Sequence, residues 1–231
     1  MRPCKQSVIL LLLAALLLAG FRAVSESAAF PAVSQPTASP SSGQSDDSFL
    51  ILVNRDNPLP EDYAPQLTWL NNGLNRVRAD IYEDLSAMLT AGTEEGLRFV
   101  VASAYRDREY QQGLLEEDMA ILASAGYSRD EAYREATRTT MPPGCSEHET
   151  GLALDIVSLD NQRLEEAQEE TPENIWLREN CWKYGFILRY PRGKEEITGI
   201  DYEPWHFRYV GRAAAEEITR LGLTLEEYLA R

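Results

Sequence analysis

The sequence predicts an α+β domain, a small antiparallel sheet flanked by helices. Three observations carry that expectation. Segments with helical spacing of apolar residues are interspersed with short runs rich in β-forming residues. The two kinds do not alternate in regular βαβ units. No internal repeat divides the chain into stacked modules.

In chain order, Val77, Ile81, Leu85, Met88 and Leu89 fall at helical spacing, and Gly92 closes that helix. "LRFVVASAY" then reads as a buried strand, being short, apolar and rich in β-formers. Asp107 is placed to cap a long helix, "REYQQGLLEEDMAILASA", that stops at Gly126. Ser128 and Glu131 form a capping box for "RDEAYREATRTTM", which Pro142-Pro143-Gly144 ends. The strand "LALDIV" follows. Thr171 and Pro172 have N-cap and first-turn chemistry for the helix "ENIWLRENCWKY", ended by Gly185. "FILRY" and "WHFRYV" read as further strands, and Thr224 with Glu227 boxes a short last helix.

The chain ahead of these elements has a different character. Arg2 and Lys5 precede an apolar run from Val8 to Phe21, followed by small residues through Ala29. Residues 1–29 are expected to be an export signal or a short membrane anchor, the run falling short of the roughly 20 residues of a full span. Residues 30–48, rich in Pro, Ser and Gln, are expected to be a flexible linker, which leaves 49–231 as the folded domain. A net charge of −15 favours solubility and repels nucleic acid phosphate, so no nucleic-acid partner is expected. Cys4 lies in the signal. Cys145 and Cys181 are either one disulfide or two buried thiols, and their spacing leaves both open.

The chain has two histidines, and they sit in its two least ordinary segments, "SEHETGLALD" (146–155) and "DYEPWHFRY" (201–209). On the strand, Asp155 points to the face opposite Leu152, Leu154 and Ile156, and Ala153 shares that face and leaves room beside the carboxylate. An aspartate inside an apolar strand is costly unless it is paired or coordinated. His148, on the turn before, can reach the same point. Pro204 pushes Glu203 into an extended conformation, so Glu203 and His206 leave an irregular corner, with Trp205 and Phe207 packing around them. Two neutral imidazoles and one carboxylate are the ligand set of a catalytic zinc with an open position for water, placed on the sheet face, and one carboxylate remains to act as base.

Other chemistries fail on the letters. Leu152 occupies the place of the second histidine in a His-Glu-x-x-His motif. Residues Asn180 and Pro191 precede Lys183 and Lys194 where a Ser-x-x-Lys motif needs serine. No Gly-x-Ser-x-Gly elbow and no phosphate-cradling glycine loop occurs. A Cys145–His148 nucleophile pair is conceivable on sequence distance alone.

At these residues the chain resembles the VanY-type D-alanyl-D-alanine carboxypeptidases, zinc peptidases related to the VanX dipeptidases. The pattern Ser-x-His-x-x-Gly-x-Ala-x-Asp reads as Ser146, His148, Gly151, Ala153 and Asp155, and Glu-Pro-Trp-His reads as residues 203–206. A block usually written Ser-Gly-Tyr-Arg appears as "SAYR", with Ala104 in the glycine's place. The resemblance covers roughly residues 50–225. It implies one Zn2+ per chain held by His148, Asp155 and His206, with Glu203 as general base and Arg106 facing the scissile carbonyl. Ser146, Tyr105 and Trp205 are candidates for substrate contact.

The expectation is an exported, monomeric zinc D,D-carboxypeptidase in or outside a bacterial envelope. Its partner is the peptidoglycan stem peptide or its precursor, from which it removes the C-terminal D-alanine. An L,D-carboxypeptidase or D,D-dipeptidase of the same family, or a non-catalytic wall-binding module, are the alternatives.

Overall fold

The computed structural model describes residues 46–231. The export signal and nearly all of the linker expected from the sequence lie outside these residues. Among the described residues, no helix is long and apolar enough to cross a membrane.

Two antiparallel sheets form. A hairpin pairs β1 (Leu67–Trp69) with β2 (Arg76–Arg78). The main sheet contains β3 (Phe99–Ser103), β4 (Ala153–Ser158), β5 (Phe186–Leu188) and β6 (His206–Tyr209), in the order β3-β4-β6-β5. Every neighbouring pair in it is antiparallel. The helices are α1 (Tyr82–Glu94), α2 (Arg108–Ser124), α3 (Arg129–Ala136), α4 (Pro172–Asn180), the single turn α5 (Glu195–Thr198), α6 (Arg212–Leu221) and α7 (Leu225–Leu229). The α+β class read from the sequence holds.

One face of the main sheet makes the core. Leu154 and Ile156 of β4 and Phe207 and Tyr209 of β6 pack with Leu85, Met88 and Leu89 of α1 and Trp176 and Leu177 of α4. Each such fully buried side chain contributes about 1.5–3 kcal/mol relative to exposure. A second cluster joins Ile187 to Ala214, Ala215 and Ile218 of α6 and Leu225 of α7. The α2–α3 pair has its own small cluster around Leu115 and Ala132.

The caps read from the sequence form as expected. Asp107 accepts from the Tyr110 N–H, Thr171 accepts from Asn174, and both capping boxes close. Several boundaries differ. Val77 belongs to β2 and Ile81 to a 3-10 turn, and α1 begins only at Tyr82. Both apolar residues still reach the core, so the spacing continued across a strand and a turn. Gly92 lies inside α1, where a Cβ would come within 2.5 Å of the Phe99 ring. Its role is close approach of the helix to β3, not termination.

β3 is an edge strand and only half-buried throughout. α3 stops at Ala136, well short of Met141, and the Thr137 hydroxyl donates back to the Tyr133 carbonyl. The helix after Thr171 ends at Asn180 and tightens into a 3-10 turn over Cys181–Tyr184, which Gly185 terminates at φ 84°. The β1–β2 hairpin, α5 and α6 were not anticipated. Cys145 and Cys181 are both free thiols. Cys181 is in the main core, where burial pushes its thiol up to about 12.

Candidate metal centre

The centre is built where β4 meets β6. Their register sets Asp155 directly opposite His206, so the two side chains rise from the same face of the sheet. The neighbouring pair Leu154–Phe207 points the other way, into the core. Phe207 therefore does not pack beside His206, as its position in the sequence suggested. Tyr190 does, with ring centroids 4.7 Å apart.

His148 arrives on a 3-10 turn over Glu147–Thr150. Gly151 ends the turn at φ 72°, donating to the His148 carbonyl at 3.2 Å. A Cβ there would meet the Arg78 backbone nitrogen at 2.9 Å, so the position needs glycine on two counts. The other side of the turn is clasped by the segment after β3. Arg106 N–H donates to the His148 carbonyl, and the His148 ring Nδ1 bonds the Ala104 carbonyl at 2.7 Å. A carbonyl only accepts, so Nδ1 carries the proton and Nε2 presents its lone pair.

That lone pair faces Asp155 Oδ2 at 3.4 Å. On the other flank His206 Nδ1 faces Asp155 Oδ1, also at 3.4 Å. One ligand atom from each of the three residues lies within 4.8 Å of the others, and all three residues are buried. Two ligands about 2.0–2.1 Å from a tetrahedral ion stand about 3.3–3.4 Å apart, the distance at which each imidazole nitrogen stands from its nearer Asp155 oxygen. Asp155 Oδ1 is buried without a hydrogen-bond partner, as a ligand oxygen awaiting a cation would be. The residues fit zinc.

The electrostatics agree. Burial alone would raise Asp155, but His148, His206 and Arg106 outweigh it and hold the carboxyl well below its usual range. Burial would likewise lower His206, yet the carboxylates of Asp155, Glu147 and Glu203 around it pull it well up. A point with that surplus of carboxylate favours positive charge. Burial, reinforced by Arg106, lowers His148 and keeps it a neutral donor.

Glu203 stands just outside the three-atom group, 5% exposed, with Oε2 3.4 Å from His206 Nδ1. Its corner is irregular, as Pro204 implied, and the Pro204 carbonyl accepts from the buried Asn174 amide. Burial raises its carboxyl above the ordinary range. Arg106 also converges on the site, though on Asp155 rather than on open space. Its Nη2 donates to Asp155 Oδ2 at 2.7 Å and its Nε to Ser103 Oγ at 2.8 Å.

The remaining candidates are placed less directly. Ser146 is buried at the head of the turn, but its hydroxyl does not cap it. The Tyr105 ring lies under the Arg76 guanidinium, 5.1 Å away. Trp205 joins β4 through its backbone, its carbonyl accepting from Ile156 N–H. Cys145 is partly buried with its thiol raised by burial, which disfavours the thiolate a nucleophile needs.

Glu147 was missed altogether. Its side chain is fully buried and accepts from Arg189 Nε at 2.8 Å and Arg208 Nη1 at 2.7 Å. Its only sequence signal was adjacency to His148.

The family model described as VanY, D-alanyl-D-alanine carboxypeptidase, matches residues 74–212. A D-alanyl-D-alanine carboxypeptidase of Enterococcus faecalis is 42% identical over 189 residues, covering 81% of this chain and 68% of that protein. A crystal structure of a mutant of the vancomycin resistance D,D-pentapeptidase VanY from a VanB-type cassette, in complex with Zn(II), matches with TM-score 0.71 and 42% identity. It covers 79% of this chain and 99% of that one. The structure of the LdcB LD-carboxypeptidase matches with TM-score 0.68 and 36% identity, covering 78% of this chain and 84% of that one.

Proposed function

The chain belongs to the VanY D-alanyl-D-alanine carboxypeptidase family and is a zinc metallopeptidase, and from that premise we propose that it removes the C-terminal D-alanine from peptidoglycan stem peptides. The observation that supports this reading most is the convergence of His148, Asp155 and His206, with Glu203 beside them and outside the ligand group.

Zinc bound by the three ligands supplies a Lewis acid that makes water nucleophilic near neutral pH. Each protein group then has one task. Glu203, buried and raised in pKa, accepts the proton of the attacking water and returns it to the leaving amine. Arg106 provides fixed positive charge beside the carbonyl oxygen as negative charge develops there, a contribution of roughly 3–4 kcal/mol in comparable sites. In this reading Ser146, Tyr105 and Trp205 contact and orient the peptide. The apolar run that follows Arg2 and Lys5 at the start of the chain, and the tether expected after it, support action outside the membrane, where the polymer lies, and the domain acts as a monomer.

Incubation with synthetic pentapeptide and tetrapeptide stems, with and without a chelator, tests the proposal. Mass spectrometry should show loss of one alanine from the pentapeptide, abolished by the chelator. Cleavage of the tetrapeptide alone would favour the L,D-carboxypeptidase reading, which the likeness to LdcB keeps in view. Cleavage of free D-alanyl-D-alanine, supplied in a parallel incubation, with both stems left intact would favour the dipeptidase, and no cleavage of either stem or of the dipeptide would leave a binding module.

A further inference from the structure

His206 has carboxylates on both sides of its ring. Nδ1 faces Asp155 and Glu203, where the metal group gathers. Nε2 points away from that group, to Glu147 Oε2 at 3.5 Å. Both atoms of that second pair are buried with no hydrogen-bond partner. Two facing orphans, one able to donate and the other only to accept, are explained if a short slide of the ring closes a charge-assisted hydrogen bond between them.

Glu147 is not free to point elsewhere. Oε1 accepts from both Arg189 and Arg208, which fixes the carboxylate plane and leaves Oε2 for the histidine. The arginines are fixed in turn. Arg208 lies two residues beyond His206 on β6 and donates to the Phe49 and Ile51 carbonyls. Arg189 follows β5 and makes two bonds to Glu226 of α7. Two carboxylates and two guanidiniums thus form a neutral buried cluster whose one unused acceptor faces a metal ligand.

We infer that Glu147 is the positioning residue of His206, holding the ring as its Nε2–H tautomer so that the Nδ1 lone pair is presented to the metal. Neither Glu147 nor the arginines touch substrate in this arrangement. They act through the ligand, as second carboxylates behind metal-binding histidines do generally. The inference rests on His206 being a zinc ligand.

The substitution Glu147→Gln is unusually diagnostic. The arginines demand an acceptor at the Oε1 position, so the amide must turn its NH2 towards His206. A donor then faces Nε2 and favours the opposite tautomer, with the proton on Nδ1 where the metal belongs. The folded variant should bind zinc roughly 10- to 100-fold more weakly in competition with a chromophoric chelator. The visible absorption of its cobalt(II)-substituted form should shift, and Glu147→Asp should restore part of both. Wild-type zinc affinity with an unchanged cobalt spectrum in folded Glu147→Gln would overturn the inference.

Removing one charge from a buried cluster is destabilising, and the variant risks not folding. Arg208→Lys then decides by the same two measurements, since it keeps the charge but loses the guanidinium that is pinned to the Phe49 and Ile51 carbonyls while its Nη1 holds Glu147 Oε1. Weakened affinity supports the inference, and unchanged affinity and spectrum sink it. A wild-type protein that bound no zinc would instead remove the premise.

Discussion

The two faces of the β4–β6 ladder are made of alternate residues on the same two strands and obey different rules. One face carries Leu154 against Phe207 and is closed by α1 and α4 into the apolar core. The other carries Asp155 against His206 and Ala153 against Arg208, and every charged group on it is buried. The apolar face needs only volume and shape. The polar face needs named partners, because a buried charge without one is expensive. Stability should therefore belong mainly to the first face and metal binding and turnover to the second.

Substitutions can break that division if it is wrong. The largest effect is expected from Glu203→Gln, which should lower kcat about 10²- to 10⁴-fold while zinc content stays near one per chain. Undiminished turnover would place the base elsewhere. Next, Leu154→Ala on the opposite face should cost about 2–5 kcal/mol in denaturant unfolding. Its zinc affinity, measured under native conditions, should be unchanged. Weakened zinc binding there would mean that the two faces are not separable.

Gly151→Ala sits at the junction and sharpens the boundary. The left-handed backbone alone costs about 1–2 kcal/mol, and the new methyl crowds the Arg78 nitrogen. Because this turn carries His148, both melting temperature and zinc affinity should fall. A change in one without the other would assign the turn to a single face. The smallest effect concerns the thiols. At pH 8, Cys181, buried in the apolar core and raised to about 12, should be alkylated far more slowly than the half-buried Cys145. Peptide mapping after brief iodoacetamide treatment reads the order, and equal rates would contradict the packing described.

The same contrast explains what could be read from the chain. The apolar face is periodic, and Leu152, Leu154 and Ile156 announced a strand with Asp155 turned the other way. The metal ligands were legible because two of them share one short block and the third sits in a second block beside its base. Caps were legible because Asp107, Ser128, Thr171 and Thr224 act within four residues of themselves. Glu147 was not, since its partners come from β6 and from the residue after β5, and Arg189 is held in turn by α7. The three-residue strands of the β1–β2 hairpin were too short to show alternation. Val77 was misassigned because one core accepts side chains from a strand, a turn and a helix in succession.

The central claim is tested most directly by diffraction from zinc-loaded crystals on either side of the zinc absorption edge. One strong anomalous peak should lie between His148 Nε2, an Asp155 oxygen and His206 Nδ1, with Glu203 beside it and not bonded to it. A peak coordinated by Glu203 in place of one of those three, or none at that point in a zinc-loaded protein, would contradict the account.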